Sequence, residues 1–163
     1  MKRPKNSTVY KISNESFSND VEPYVDDLIH LIESKGTVLG TNNPYVEGYK
    51  ITRGEILNND QELFNIIQDN IPEIENFCSN LIGKKLQMAN CNQEQYCWFL
   101  RLYNKDGHYL DWHFDNNFTD GFRYTYVLNL YVSECNTSSF MTKDMKNKGS
   151  GFKSKTGEGV LYD

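Results

Sequence analysis

The stretch Tyr109-Leu110-Asp111-Trp112-His113-Phe114-Asp115 decides how the fold of this chain is read. It sets a histidine and a carboxylate two positions apart in a segment of strand composition. Residues i and i+2 of a strand face the same side, so His113 and Asp115 are expected side by side. An imidazole and a carboxylate held that way supply two of the three ligands of a 2-His-1-carboxylate facial triad for Fe(II). His-x-Asp alone is a common triplet, and a surface strand with two polar residues is the plain alternative.

The flanking sequence predicts a sheet around it. Cys97-Trp98-Phe99-Leu100-Arg101-Leu102-Tyr103 is an aromatic, apolar run that stops at Asn104-Lys105-Asp106-Gly107. Asp-Gly is a strong hairpin signal, and the turn is expected to fold Tyr103 back beside the His-x-Asp strand. Residues 122–132 predict one long β-branched and aromatic strand, followed by Asn136-Thr137-Ser138-Ser139-Phe140 and by Gly157-Glu158-Gly159-Val160-Leu161-Tyr162-Asp163. This order of strands and turns suits an all-β double sheet.

Taken together, Tyr103, Gly107, His113-x-Asp115, Arg123-x-Thr125, Thr137-x-x-Phe140 and Gly157-x-Gly159-Val160-Leu161-Tyr162 resemble the 2-oxoglutarate- and Fe(II)-dependent dioxygenases, closest to their prolyl-hydroxylase-like branch. The resemblance covers residues 96–163. It implies a double-stranded β-helix, or jelly roll, preceded by helices, so that the class is α+β and mainly β. It further implies an enzyme that decarboxylates 2-oxoglutarate while hydroxylating a prolyl or lysyl side chain of a protein or peptide substrate. His113 and Asp115 would be the metal ligands, and Tyr103 would bond the far carboxylate of 2-oxoglutarate. Thr125 and Asn129, sharing parity on their strand, are expected to face the barrel interior as further cosubstrate contacts. Trp112 and Phe114 alternate with the ligands and are expected in the core, and Arg123 at the barrel rim.

The family pattern is incomplete in two places. Cys135-Asn136 stands where the family has Gly-Gly, and the distal histidine with its following Arg or Lys falls beyond Asp163. The C-terminal strands are therefore expected to be missing, leaving Val160, Leu161 and Tyr162 without a neighbour. Two alternatives accompany the hydroxylase. One is an alkylation-repair type nucleic-acid demethylase, which shares the spacing Tyr103…Gly107…Trp112-His113-Phe114-Asp115. The other is a non-catalytic jelly-roll binding protein that has lost the distal histidine.

Length and charge frame these expectations. At 163 residues the chain is read as one domain, with residues 1–85 as mainly helical support and 86–163 as the metal-bearing core. A net charge of −5 opposes general attraction to phosphates, which disfavours nucleic acid as partner despite a lysine cluster among residues 143–155. No run reaches the ~20 apolar residues of a membrane span. The polar start Met1-Lys2-Arg3-Pro4-Lys5-Asn6 lacks a signal-peptide core, so an intracellular location is expected. Cys78, Cys91, Cys97 and Cys135 show no Cys-x-x-Cys spacing and read as free thiols.

In the N-terminal half, residues 21–35 predict an amphipathic helix ending at Gly36, with His30 on an ordinary helical position. Residues 37–40 predict a strand, and 45–52 a strand or loop. A second helix is expected near Asn59, with Asn59 and Glu62 as capping box. A third follows, with Pro72 in its first turn and Gly83 at its end. Residues 142–155 read as a loop.

Overall fold

Val160 and Leu161, expected at a bare sheet edge, are 0 % and 3 % exposed, because the strand that carries them lies in the middle of a sheet. The structure is a computed structural model and describes residues 9–42, 44, 46–88, 98–103, 109–110, 118–119, 122–123, 126–140 and 152–162. The first half runs β1 (Val9–Ser13), α1 (Glu15–Val21), a 3₁₀ turn (Glu22–Tyr24), α2 (Val25–Lys35), β2 (Thr37–Leu39), β3 (Val46–Thr52), α3 (Arg53–Asn59), α4 (Gln61–Gln68) and α5 (Ile71–Ile82). Among the described residues the second half contributes the strands β4 (Phe99–Leu102), β5 (Tyr109–Leu110), β6 (Phe118–Thr119), β7 (Phe122–Arg123), β8 (Val127–Leu130), β9 (Cys135–Phe140), β10 (Phe152–Ser154) and β11 (Glu158–Tyr162). Two compact units result, one formed by residues 1–23 with 125–163 and the other by residues 24–124.

In the first unit, β11 pairs antiparallel with β1 on one side and β8 on the other, with Lys11 opposite Val160 and Val160 opposite Asn129. The neighbour absent from the sequence expectation is thus β1, contributed from the start of the chain. The Gly-x-Gly motif has a structural cause in this sheet. Gly157 turns the chain at φ +80°, its carbonyl accepts from the Asn14 N–H at 2.8 Å, and its own N–H donates to the Tyr131 carbonyl at 2.9 Å. A Cβ there would lie 2.8 Å from Cβ of Ser18. At Gly159 a Cβ would run into the Asn129 carbonyl on β8, so the close approach of the two strands requires glycine. Asn14, 6 % exposed, also caps α1 by accepting from the Phe17 N–H at 2.8 Å. A separate two-stranded ladder joins β9 and β10.

The second unit contains a sheet in the order β2-β3-β4, all antiparallel, with β5 also antiparallel to β3. Helix α2 packs on β3 and β4, and α3 packs on β3. The core between them is built from Leu28, Leu31 and Ile32 of α2, Ile51 of β3, Ile56 of α3 and Leu102 of β4, all buried. Pro23, which has no N–H to donate, coincides with the break between α1 and α2, so the helix expected over residues 21–35 begins only at Val25, after a 3₁₀ turn, and ends before Gly36 as expected. The capping box lies at Thr52 and Glu55, opening the unanticipated α3, and Asp60 rather than Asn59 caps α4 through the Leu63 N–H. The expected β2, the Pro72 start of α5 and the Gly83 end of α5 are found as read.

The jelly roll is not found. Among the described residues the strands form separate two-, three- and four-stranded ladders with β5 added to β3, and none closes on itself. The physical reasons lie in three segments. Strands β4 and β5 both run antiparallel to β3, hence in the same direction as each other, so these two strands do not form a hairpin with one another. Of the long strand expected over residues 122–132, the described residues form β7, paired with β6, and β8, paired with β11. Part of the loop expected over residues 142–155 is strand β10.

Candidate functional site

Strand β3 alternates strictly where it meets β4. Tyr49 and Ile51 pair with Leu102 and Leu100 on the helix side, leaving Lys50 opposite Arg101 and Thr52 opposite Phe99 on the outward side. Two cations and an aromatic ring are therefore brought together by register alone. The Lys50 Nζ sits 4.3 Å from the centre of the Phe99 ring, and the Arg101 guanidinium carbon sits 5.3 Å from the same centre. Both lie within the range of cation–π attraction. Arg101 Nη1 also donates to Tyr103 Oη at 3.4 Å. The Tyr103 ring rests on Gly48 of β3, where a Cβ would stand 2.9 Å from ring atom Cδ1. Phe99 and Tyr103 are each 38 % exposed, so this face offers a wet aromatic surface edged by positive charge.

The electrostatics of Lys50 follow from its surroundings. Burial, and next the neighbouring positive charge of Arg101, push its amine below the usual lysine range, while Glu55 acts in the opposite sense. The Glu55 carboxylate is also engaged in the cap of α3, its Oε2 accepting from the Thr52 N–H at 2.7 Å and the Thr52 hydroxyl at 2.9 Å. Among the described residues neither Lys50 nor Arg101 has an ion-pair partner. Strand β4 is held at its start by Trp98, whose Nε1 donates to Gln68 Oε1 at 3.1 Å and whose ring stacks 6.0 Å from Phe64. Arg53 donates to the same Gln68 oxygen at 3.1 Å and lies over Phe64. This second cation–aromatic cluster is committed internally and fixes where Phe99 emerges.

A shallow groove of about 190 Å³ beside α2 and α4 gathers Asp27, His30, Asp60 and Glu62. Asp60 is engaged as the cap of α4, and Ser34 in the same groove is turned onto the His30 carbonyl at 2.8 Å.

No family model matches this chain, and no curated protein or solved structure matches it.

The expected dioxygenase centre is not supported. A facial triad needs three ligand side chains converging on one point, and among the described residues no group of three or more His, Cys, Asp or Glu could hold a metal ion. With no closed barrel among the described residues either, the Fe(II) and 2-oxoglutarate cofactors, the hydroxylase activity and the demethylase sharing its chemistry are set aside, and the non-catalytic alternative loses its jelly roll. His113, Asp115 and Thr125 lie outside the described residues, as do Gly107, Trp112 and Phe114. Tyr103 and Asn129 fall in different compact units. Asn129, expected to point into a barrel, is exposed on β8 and its amide lies 3.5 Å from Tyr162 Oη. Cys78 is a free, buried thiol as read, with burial raising its pKa. No described helix is long and apolar enough to cross a membrane.

Tyr103, expected as a cosubstrate contact, neighbours Gly48 and Arg101. The alternation Phe99-x-Arg101-x-Tyr103, along β4 and the residue that follows it, is visible in the sequence and places all three on one face. What could not be seen was Lys50, which joins them only through the β3–β4 register.

Proposed function

We propose that this chain works by binding, and that the outward face of the β2-β3-β4 sheet receives an acidic peptide segment of a protein partner. The observation that carries this is the Lys50–Arg101 pair: like charges directly opposite each other on a sheet disfavour the fold, and the carboxylate that acts on Lys50, Glu55, is also engaged in the cap of α3. A carboxylate brought by a partner relieves that repulsion and gains charge-assisted hydrogen bonds from both cations. Phe99 and Tyr103 beside them supply apolar contact of the amphipathic kind suited to a wet interface. A single-stranded nucleic acid fits less well. The chain carries net charge −5, and the Phe99 ring on which a base would stack already holds two cations.

The test is a titration of the isotopically labelled full chain, followed by NMR, with the peptide acetyl-Glu-Val-Glu-Val-Glu-amide and in parallel with a short single-stranded oligonucleotide. The expected result is saturable peptide-induced shifts at Lys50, Phe99, Arg101 and Tyr103. Lys50→Ala and Arg101→Ala should each weaken binding several-fold, in keeping with about 1 kcal/mol for a partly exposed ion pair. Shifts that avoid these residues, affinity unmoved by either variant, or tighter binding of the oligonucleotide would overturn the proposal.

A further inference from the structure

We propose that the Lys50 amine takes up carbon dioxide as a carbamate, with the Arg101 guanidinium as its counter-ion. Register fixes the pair. Lys50 on β3 stands directly opposite Arg101 on β4, with the uncharged Thr37 of β2 on its other side. The two outward side chains share the ring of Phe99, the Lys50 Nζ at 4.3 Å and the Arg101 guanidinium carbon at 5.3 Å from its centre. Residues directly opposite in an antiparallel pair have Cβ atoms only ~5 Å apart, so an anion at the end of one side chain is within reach of a cation at the end of the other. Burial first, and Arg101 next, disfavour the protonated amine, while Glu55 of α3 favours it. Glu55 is also held by the Thr52 N–H and hydroxyl.

The reaction needs carbon dioxide and water alone. The lone pair of the neutral amine attacks the carbon of carbon dioxide, a C–N bond forms as one C=O π pair withdraws onto oxygen, and the nitrogen gives a proton to water. The proton that the ammonium must first release goes to water as well. Only the neutral amine reacts, and a partly desolvated lysine beside another cation is the arrangement that supplies it. The product gains what the amine lacked, because the carbamate oxygens accept charge-assisted hydrogen bonds from the planar guanidinium opposite. Acylation to a neutral amide would remove the repulsion without supplying an anion, so this row favours carbon dioxide over an acyl group. A pair of like charges becomes an ion pair. The face then no longer presents two cations, and carbon dioxide turns off its binding of acidic peptide; that consequence, unlike the carbamate itself, rests on the acidic-peptide proposal above.

The test is carbon NMR of the full chain, with isotope-labelled lysine nitrogen, in isotope-labelled bicarbonate at mildly alkaline pH. Coupling of the carbamate carbon to labelled nitrogen separates a lysine carbamate from one on the α-amine of Met1. The expected result is one dominant nitrogen-coupled signal, absent from Lys50→Arg, which keeps the positive charge but forms no carbamate, and reduced several-fold in Arg101→Gln. Trapping the carbamate by O-alkylation, followed by proteolysis and mass spectrometry, locates it on the wild-type chain without recourse to a variant. No nitrogen-coupled signal, a signal unchanged in Lys50→Arg, or a trapped group on other lysines only would overturn the proposal. A signal undiminished in Arg101→Gln would overturn it too, by removing the counter-ion. If the carbamate forms on Lys50 while acetyl-Glu-Val-Glu-Val-Glu-amide binds as tightly with that signal saturated as without carbon dioxide, the acidic-peptide reading fails and the carbamate stands.

Discussion

Lys50 stands directly opposite Arg101 in the β3–β4 ladder, and the two cations share the ring of Phe99. This pairing leaves Lys50 with a pKa lowered first by burial and then by Arg101. Between the folded pKa and the ordinary 10.5 the unfolded chain binds more protons than the folded one. Stability contributed by this group therefore rises with pH across that window, and the full penalty is carried below it.

Replacing Arg101 by Gln should move the Lys50 pKa back toward 10.5 and flatten the alkaline rise in stability. An NMR titration of the lysine side chain, with denaturant unfolding at several alkaline pH values, measures both. An unchanged Lys50 pKa in the variant would show that the two charges do not interact.

Gly157→Ala and Gly159→Ala should each destabilise the first unit by roughly 1–3 kcal/mol, the first through its left-handed backbone and contact with Asn14 and Ser18, the second through the Asn129 carbonyl. Denaturant midpoints would report the loss. Wild-type stability in either variant would mean that the β11 turn or the β11–β8 approach has been misplaced.

The Gly-x-Gly-Val-Leu-Tyr run illustrates what could and could not be read from sequence. Its strand character was legible, because β-branched and aromatic residues follow a turn, and β11 is found there. Its neighbours were not, because pairing between residues 9–13 and 158–162 spans nearly the whole chain and leaves no local trace. Helix ends were legible where chemistry is local, as at Pro72 and Gly83, and misread by one residue at Asp60, where Asn, Asp and Gln in succession offer competing caps. Asp106-Gly107 lie outside the described residues, but the hairpin expected from them does not join β4 to β5. A hairpin turn states only that the chain can reverse, and the backbone groups of β4 and β5 are both taken up by β3.

Leu161→Ala should cost about 2–5 kcal/mol, the range for truncating a buried leucine. Removing residues 1–13 should have a larger effect, since it strips β1 from β11. Calorimetric unfolding distinguishes the two. A chain lacking residues 1–13 that unfolds at the wild-type midpoint would contradict the β1–β11 pairing.

Thr52→Ala should cost about 1 kcal/mol by removing the hydroxyl half of the α3 capping box. It also loosens Glu55, the one carboxylate that raises the Lys50 pKa, so acidic-peptide affinity should fall as Glu55 becomes free to compete for Lys50. Unfolding and the peptide titration check the two effects; unaltered affinity would show that Glu55 stays away from Lys50 without its cap.

Charge reversal tests the binding face most directly. Affinities of the wild-type chain and of the double variant Lys50→Glu, Arg101→Glu should be measured by calorimetry for acetyl-Glu-Val-Glu-Val-Glu-amide and for the matching Lys-Val peptide. The expected result is a switch: the wild type prefers the acidic peptide and the double variant the basic one. The same preference in both proteins, with the double variant shown to be folded, would contradict the assignment of this face as the site of an acidic partner.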